Sequence, residues 1–228
     1  MRKLLLITML LVAGSVTHAQ DFSYTVSADS VAWNELNAQT ILNTNNSAWN
    51  FSYKIPIGFN FEFCGQTFDS LTIETNGYIV FDRDRNYAMT AFSGVGDCTD
   101  TNGTHAVIGY ELSGTAGNRI LKIQYRNCGE SYSGSRTMSW QVWLKENGNV
   151  EFRVGPGTLR YNGSEVDTTQ RYRIGFLNMN MDTEERGVLV GESPLVCSAV
   201  AITENEPDIP HLDFIPNTGF RYTFTPSN

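Results

Sequence analysis

The chain has 228 residues, with 24 acidic and 16 basic side chains, a net charge of −8 and three histidines. That balance repels a phosphate backbone and an anionic lipid surface alike, which disfavours nucleic acid and anionic membranes as partners. Two of the basic residues, Arg2 and Lys3, sit in front of an apolar run at Leu4–Gly14. They leave if that run is cleaved, which makes the remainder more acidic still.

The first 19 residues read as a signal peptide. A short positive start precedes the apolar run, and Thr17-His18-Ala19 offers small residues at −3 and −1, placing cleavage before Gln20. The run is too short to cross a bilayer, and no later stretch reaches about 18 uncharged apolar residues. The expectation is an exported protein with no transmembrane segment. Residues 20–50 would supply an N-terminal strand and an irregular segment, and 51–228 the remainder of one β-sandwich domain.

A strand is expected over 22–27 (FSYTVS), whereas 30–50 reads either as a short helix or as an irregular edge. In IGFNFEF, Ile57, Phe59, Phe61 and Phe63 share one face, while Asn60 and Glu62 take the other. The stretch SLTIETNGYIVFD, 70–82, reads as two short strands around Asn76-Gly77. Asn-Gly favours a type I′ hairpin turn, which predicts positive φ at Gly77. Leu121, Ile123 and Tyr125 alternate with Lys122 and Gln124. Met138, Trp140, Val142 and Leu144 form the next apolar face, with Trp143 on the opposite one. Val150, Phe152 and Val154 then alternate with Glu151 and Arg153, so 137–154 is a hairpin with Asn147-Gly148 at its tip. Further strands are expected at 172–177, 187–191 and 219–224. About ten strands with strong turn punctuation predict an all-β fold, an antiparallel two-sheet sandwich of jelly-roll-like type. A closed barrel is the alternative.

Loop-like composition falls at 93–104, 127–136 and 155–170, and loops are where a sandwich carries function. Cys64, Cys98, Cys128 and Cys197 contain no CxxC pair, so neither a zinc ribbon nor a thioredoxin-type motif is present. Two disulfides are expected, Cys98 with Cys128 and Cys64 with Cys197; four buried thiols are the alternative. His105 and His211 have no metal-ligand spacing, and no nucleophile motif accompanies them. Glu74, Asp82, Asp84, Glu111, Glu146 and Glu151 lie in or near strands. A glycosidase would need two of them about 5–10 Å apart, but alternating carboxylates more often solvate a sheet face. Asp97, Asp100 and Asn102 are weak calcium candidates that fail the EF-hand pattern. No cofactor, metal or catalytic residue is assigned. Trp143, Tyr132 and Tyr87 fall out of phase with the core faces and are the ligand-binding candidates, for stacking on a sugar or anchoring a protein. Packing between sheet and loop is their plain structural role.

The run IPIGFNFEFCGQTFDSLTIETNGYIVFD resembles a β-sandwich module that recurs in secreted proteins of Bacteroidota, and its turn phrase resembles one in nidogen-type extracellular domains. The resemblance rests on Ile57, Gly58, Phe59, Phe61, Phe63, Gly65, Phe68, Thr75, Asn76, Gly77, Ile79 and Phe81. It continues through NRILKIQYRN, SWQVWLKENGNVEFRVG, YRIGFLN and GFRYTFTP, covering about residues 51–226. Cys64 departs from the module's usual aromatic before Gly65, and HAVIGYELSG keeps only Glu111 of a typically acidic strand. The resemblance implies a non-enzymatic sandwich of envelope or secreted proteins associated with type IX secretion. With the last strand expected at 219–224, no sorting domain of that system is expected to follow it. The expectation is therefore a periplasmic or outer-membrane-associated protein, with an extracellular location as a further option. Asp29-Ser30-Val31 and Asp69-Ser70-Leu71 resemble glycosylation triplets of these bacteria. The expected function is protein–protein interaction at the envelope, with a role as an accessory of outer-membrane secretion or surface machinery as its finer form. A carbohydrate-binding module holding polysaccharide is the alternative, and a glycoside hydrolase a distant third.

Overall fold

The computed structural model describes residues 24–37, 40–43, 51–84, 87–93, 98, 105–129, 137–158, 173–177, 187–190, 199–202, 212 and 216–227. Its strands are β1 (Tyr24–Ser30), β2 (Thr40–Asn43), β3 (Ser52–Phe63), β4 (Gln66–Glu74), β5 (Tyr78–Val80), β6 (Ala88–Ser93) and β7 (Val107–Ser113). They continue with β8 (Ile120–Gly129), β9 (Thr137–Lys145), β10 (Val150–Gly157), β11 (Arg173–Leu177), β12 (Gly187–Val190), β13 (Ala199–Ile202) and β14 (Phe220–Pro226). Two antiparallel seven-stranded sheets form a sandwich, ordered β1-β14-β10-β9-β8-β7-β2 and β13-β12-β11-β6-β5-β4-β3. The expected all-β sandwich is the fold observed. Each sheet contains a four-strand meander, β7–β10 in the first and β3–β6 in the second.

Alternation of residue types builds the core. Ile55, Ile57, Phe59, Phe61 and Phe63 are buried along β3, while Lys54, Pro56, Asn60 and Glu62 face water. Leu121, Ile123 and Tyr125 of β8 oppose them, with Met138, Trp140, Val142 and Leu144 of β9 and Val150, Phe152 and Val154 of β10. Tyr125 and Trp140 are stacked at 4.6 Å, and Phe176 of β11 meets Phe63 at 4.9 Å and Phe224 of β14 at 4.6 Å. Burial of each such ring stabilises the fold by roughly 1.5–3 kcal/mol.

The ambiguous segment before residue 50 holds no helix among the described residues. After β1 pairs with β14, residues 31–37 cross the outer face of the first sheet as a strap, and β2 then pairs with β7 at the far edge. The strap is fastened by polar groups. Leu36 N–H donates to Gln124 Oε1 at 3.0 Å, and Gln141 Nε2 donates to Asn34 O and Gln124 Oε1, both at 2.8 Å. Gly155 lies beneath Trp33, whose ring would stand 2.7 Å from any Cβ placed there, so only glycine fits. This explains why Gln124, Ser139 and Gln141 are buried on a face whose polar pattern predicts exposure. The N-terminal segment thus supplies both edge strands of one sheet.

The tight turns separate the two ends of the sandwich. One end carries the β4–β5 turn. The other carries the β3–β4, β7–β8 and β9–β10 turns.

Candidate functional site

The β4–β5 turn is built on three residues, Thr75-Asn76-Gly77, between the paired Ile73 and Ile79. Gly77 has φ +91°, as expected, and its N–H donates to Glu74 O at 3.2 Å. Asn76 is not in the positive-φ region, which corrects the type I′ expectation: the turn is a type I turn closed by a left-handed glycine. Asn76 Oδ1 accepts from Tyr78 N–H at 3.4 Å, a local bond that suits asparagine to the position. Glu146-Asn147-Gly148 repeats the geometry at the other end, with Gly148 at φ +87° and Asn147 Oδ1 accepting from Asn149 N–H at 3.1 Å. The type I′ pattern, with both central residues left-handed, belongs instead to Cys64-Gly65, at φ +50° and +73°.

Around Thr75 the chain converges. Thr75 N–H donates to Phe51 O at 3.0 Å, and Phe51 N–H donates to Thr75 Oγ1 at 3.2 Å. Cys98 N–H donates to Thr75 O at 2.8 Å, and the buried Tyr125 hydroxyl donates to Glu74 O at 3.0 Å. Cys98 is joined to Cys128 in a disulfide, the first of the two expected pairings. Two β-bulges aim the strands at this rim. Phe92 is the extra residue of β6 opposite β11, with φ +57°, and Asn127 sits in the bulge of β8, with φ +54°. Asn127 N–H donates to Ser139 Oγ at 3.0 Å, and Phe92 packs on Trp140 at 5.7 Å. A left-handed phenylalanine costs about 1–2 kcal/mol, and a backbone held in such a region is characteristic of functional sites. Phe51, 53% exposed, stands on the same rim.

Of the aromatic candidates, Trp143 and Tyr87 lie away from this rim. Trp143 is half-buried on the outer face of the first sheet. The Arg153 guanidinium carbon lies 3.3 Å and the Lys122 ammonium 4.8 Å from its ring centre. Its indole N–H donates to Gln141 Oε1 at 2.9 Å. Tyr87 packs against Phe68 at 5.3 Å and Phe63 at 6.4 Å. Burial, then the charges of Cys64 and Asp82, push its phenol upward. Tyr132, Asp97, Asp100, Asn102, Cys197 and His211 lie outside the described residues, and so does the pairing of the buried Cys64 with Cys197. Among the described residues, no group of three or more His, Cys, Asp or Glu side chains could hold a metal. His105 is exposed beside the rim, its carbonyl 3.5 Å from Asn127 Nδ2.

Three of the six candidate carboxylates engage cations, while Asp82 Oδ1 accepts from Tyr87 N–H at 3.0 Å and Glu74 is buried. Glu111 pairs with Lys122 at 2.6 Å, and Glu146 with Arg119, which also donates its backbone N–H at 2.9 Å. Hydrogen bonds from Arg119 pull the Glu146 carboxyl down to about 2. Glu151 is the exception that periodicity missed: only 1% exposed, it is clasped by Lys145, Arg153 and Arg221. Burial pushes its carboxyl up, but the hydrogen bonds from Lys145 and Arg153 and their charges outweigh this, leaving it below the ordinary carboxylate range. Arg221 extends the network to Asp29 of β1. The only sequence signal for it was three cations falling on the Glu151 face of neighbouring strands.

Fold and site together define an antiparallel β-sandwich whose two sheets are stapled at one end, beside the Thr75-Asn76-Gly77 turn. The chain belongs to the NIDO-related family, whose profile matches residues 23–226. No curated protein and no solved structure matches it.

Proposed function

We propose that this protein is a non-catalytic, exported interaction module that engages a protein partner at the bacterial envelope through its stapled rim. Membership of the NIDO-related family supports an interaction role over an enzymatic one. The observation that carries the reading is the rim itself. A disulfide and two left-handed bulges, one from each sheet, fix the backbone around Thr75 and leave Phe51 exposed beside it. A fixed backbone with an exposed ring lowers the ordering cost of binding a protein. Export agrees with the disulfide, and among the described residues no helix is long and apolar enough to cross a membrane. A role as an accessory of type IX secretion or surface machinery, and residues 20–228 acting as one domain after a cleaved leader, complete the proposal. Polysaccharide stacking on Trp143 is disfavoured because Arg153 already covers the ring.

Affinity purification of the tagged chain from native envelopes, followed by mass spectrometry, tests this reading. A defined envelope protein is expected to co-purify and to be lost when Phe51 is replaced by Asp. Retention on insoluble polysaccharide with no protein partner would overturn it.

A further inference from the structure

Among the described residues, three large apolar side chains are left in water: Phe51 at 53%, Leu112 at 49% and Ile41 at 44% exposed. All three fall on the flank where β2 ends one sheet and β3 the other. Each has a local cause. Leu112 of β7 pairs with the buried Leu121 and so points inward, but β2 pairs with β7 only opposite Ile108, Gly109 and Tyr110 and stops short of it. Its Cδ2 rests on Gly58 of β3, where a Cβ would stand 2.6 Å away, so the glycine seats Leu112 across the gap between the two edges. Ile41 stands opposite Gly109, which has no side chain to cover it. Phe51 is held by its N–H and C=O, both bonded to Thr75. Because β3 and β7 both run from the rim toward the far turns, Phe51, Ile41 and Leu112 follow one another in that order. From Phe51 to Gly58, beneath Leu112, the strip spans about 20 Å of strand.

A single exposed apolar residue is ordinary on a protein surface, but three in file, with no fourth elsewhere among the described residues, mark a contact strip. The two edges decide how it is met. Pro56 gives β3 no N–H to donate, the β3–β4 register breaks between Pro56 and Phe61, and Gly58 O already accepts from Arg119 at 2.7 Å. β2 has four residues and a register shift of its own. Neither edge suits an added strand, so a partner meets this flank with apolar side chains rather than by extending a sheet. The net charge of −8 opposes a second copy of the chain and an anionic lipid surface alike. Continuity with Phe51 joins the strip to the rim.

We propose that the protein engaged at the rim also lies along this flank, with an apolar ridge that covers Ile41 and Leu112 together with Phe51. The inference rests on the rim reading and adds two contact residues to it. The test places a photoreactive phenylalanine analogue at Ile41 or at Leu112, one site per variant, in native envelopes, with the analogue at Phe51 as reference. An unchanged thermal midpoint shows that each variant is folded. Both new sites are expected to give an adduct that mass spectrometry identifies as the same protein crosslinked from Phe51. Leu112→Asp, an exposed change, is expected to cut the yield of the Phe51 adduct about tenfold. An adduct from Phe51 alone, or a full yield in Leu112→Asp, would overturn the flank contact and leave the rim reading in place. No adduct from any of the three sites would overturn both. Lipid adducts at Ile41 and Leu112, or adducts of twice the chain's mass, would assign the flank to a bilayer or to a second copy and overturn the proposal.

Discussion

Glu151 shows how a single side chain can depend on its strand neighbours. Its carboxylate is buried, and Lys145, Arg153 and Arg221 reach it from β9, β10 and β14. Replacing Glu151 with Gln leaves three cations without their shared negative charge and is expected to cost about 2 kcal/mol in urea unfolding at neutral pH. The folded-state carboxyl titrates below its unfolded value of about 4.3. Its contribution is therefore complete above that pH and is lost as pH falls through the folded value. Asp29, lowered by its hydrogen bonds from Arg221, and Glu146, at about 2, act with the same sign. Acid unfolding of the native chain should steepen below about pH 4.3, and Glu151→Gln should flatten that dependence. An unchanged pH profile in the variant would mean the network contributes nothing.

Hairpins and strap belong to the element scale, and here the sequence was legible in parts. Strands with strict alternation, such as β3 and β8–β10, could be read directly because one face is core and the other is water. Both Asn-Gly turns were found in the right place. The turn type was not, because type I′ and type I-plus-glycine hairpins both want a left-handed glycine and differ only at the residue before it. Gly77→Ala and Gly148→Ala should each destabilise the fold by about 1–2 kcal/mol, since both force a Cβ into the left-handed region. Thermal unfolding checks this, and neutral substitutions would refute the turn assignment. The strap was invisible to pattern reading: Ser139, Gln141 and Gln124 look like solvated positions until Asn34 and Leu36 lie over them. Deleting residues 24–43 uncovers the edges of β14 and β7 together. Self-association, seen by analytical ultracentrifugation, is the expected result.

At the scale of the whole molecule, the rim ties the two sheets together. The Cys98–Cys128 bridge closes a separation of 30 residues and should stabilise the fold by about 3–4 kcal/mol in the chain-entropy account. A Cys98→Ser, Cys128→Ser double variant should show that loss in denaturant unfolding; an equal midpoint would contradict it. The Thr75-Asn76-Gly77 phrase that carried the resemblance thereby acquires a mechanical reason. Thr75 hydrogen-bonds Phe51 and Cys98, so the turn positions the staple. What the residues alone left unread was this convergence, because Phe51, Thr75, Cys98 and Asn127 are scattered along the chain and meet only in the fold.

The most direct test of an interaction module working through its rim is site-specific crosslinking in native envelopes. A photoreactive phenylalanine analogue at Phe51 is compared with the same analogue at Thr225, exposed near the end of β14 away from the rim. The account predicts one discrete protein adduct from Phe51, none from Thr225, and loss of the adduct in the Cys98→Ser, Cys128→Ser variant. Equal adducts from both positions, or none from Phe51, would contradict it.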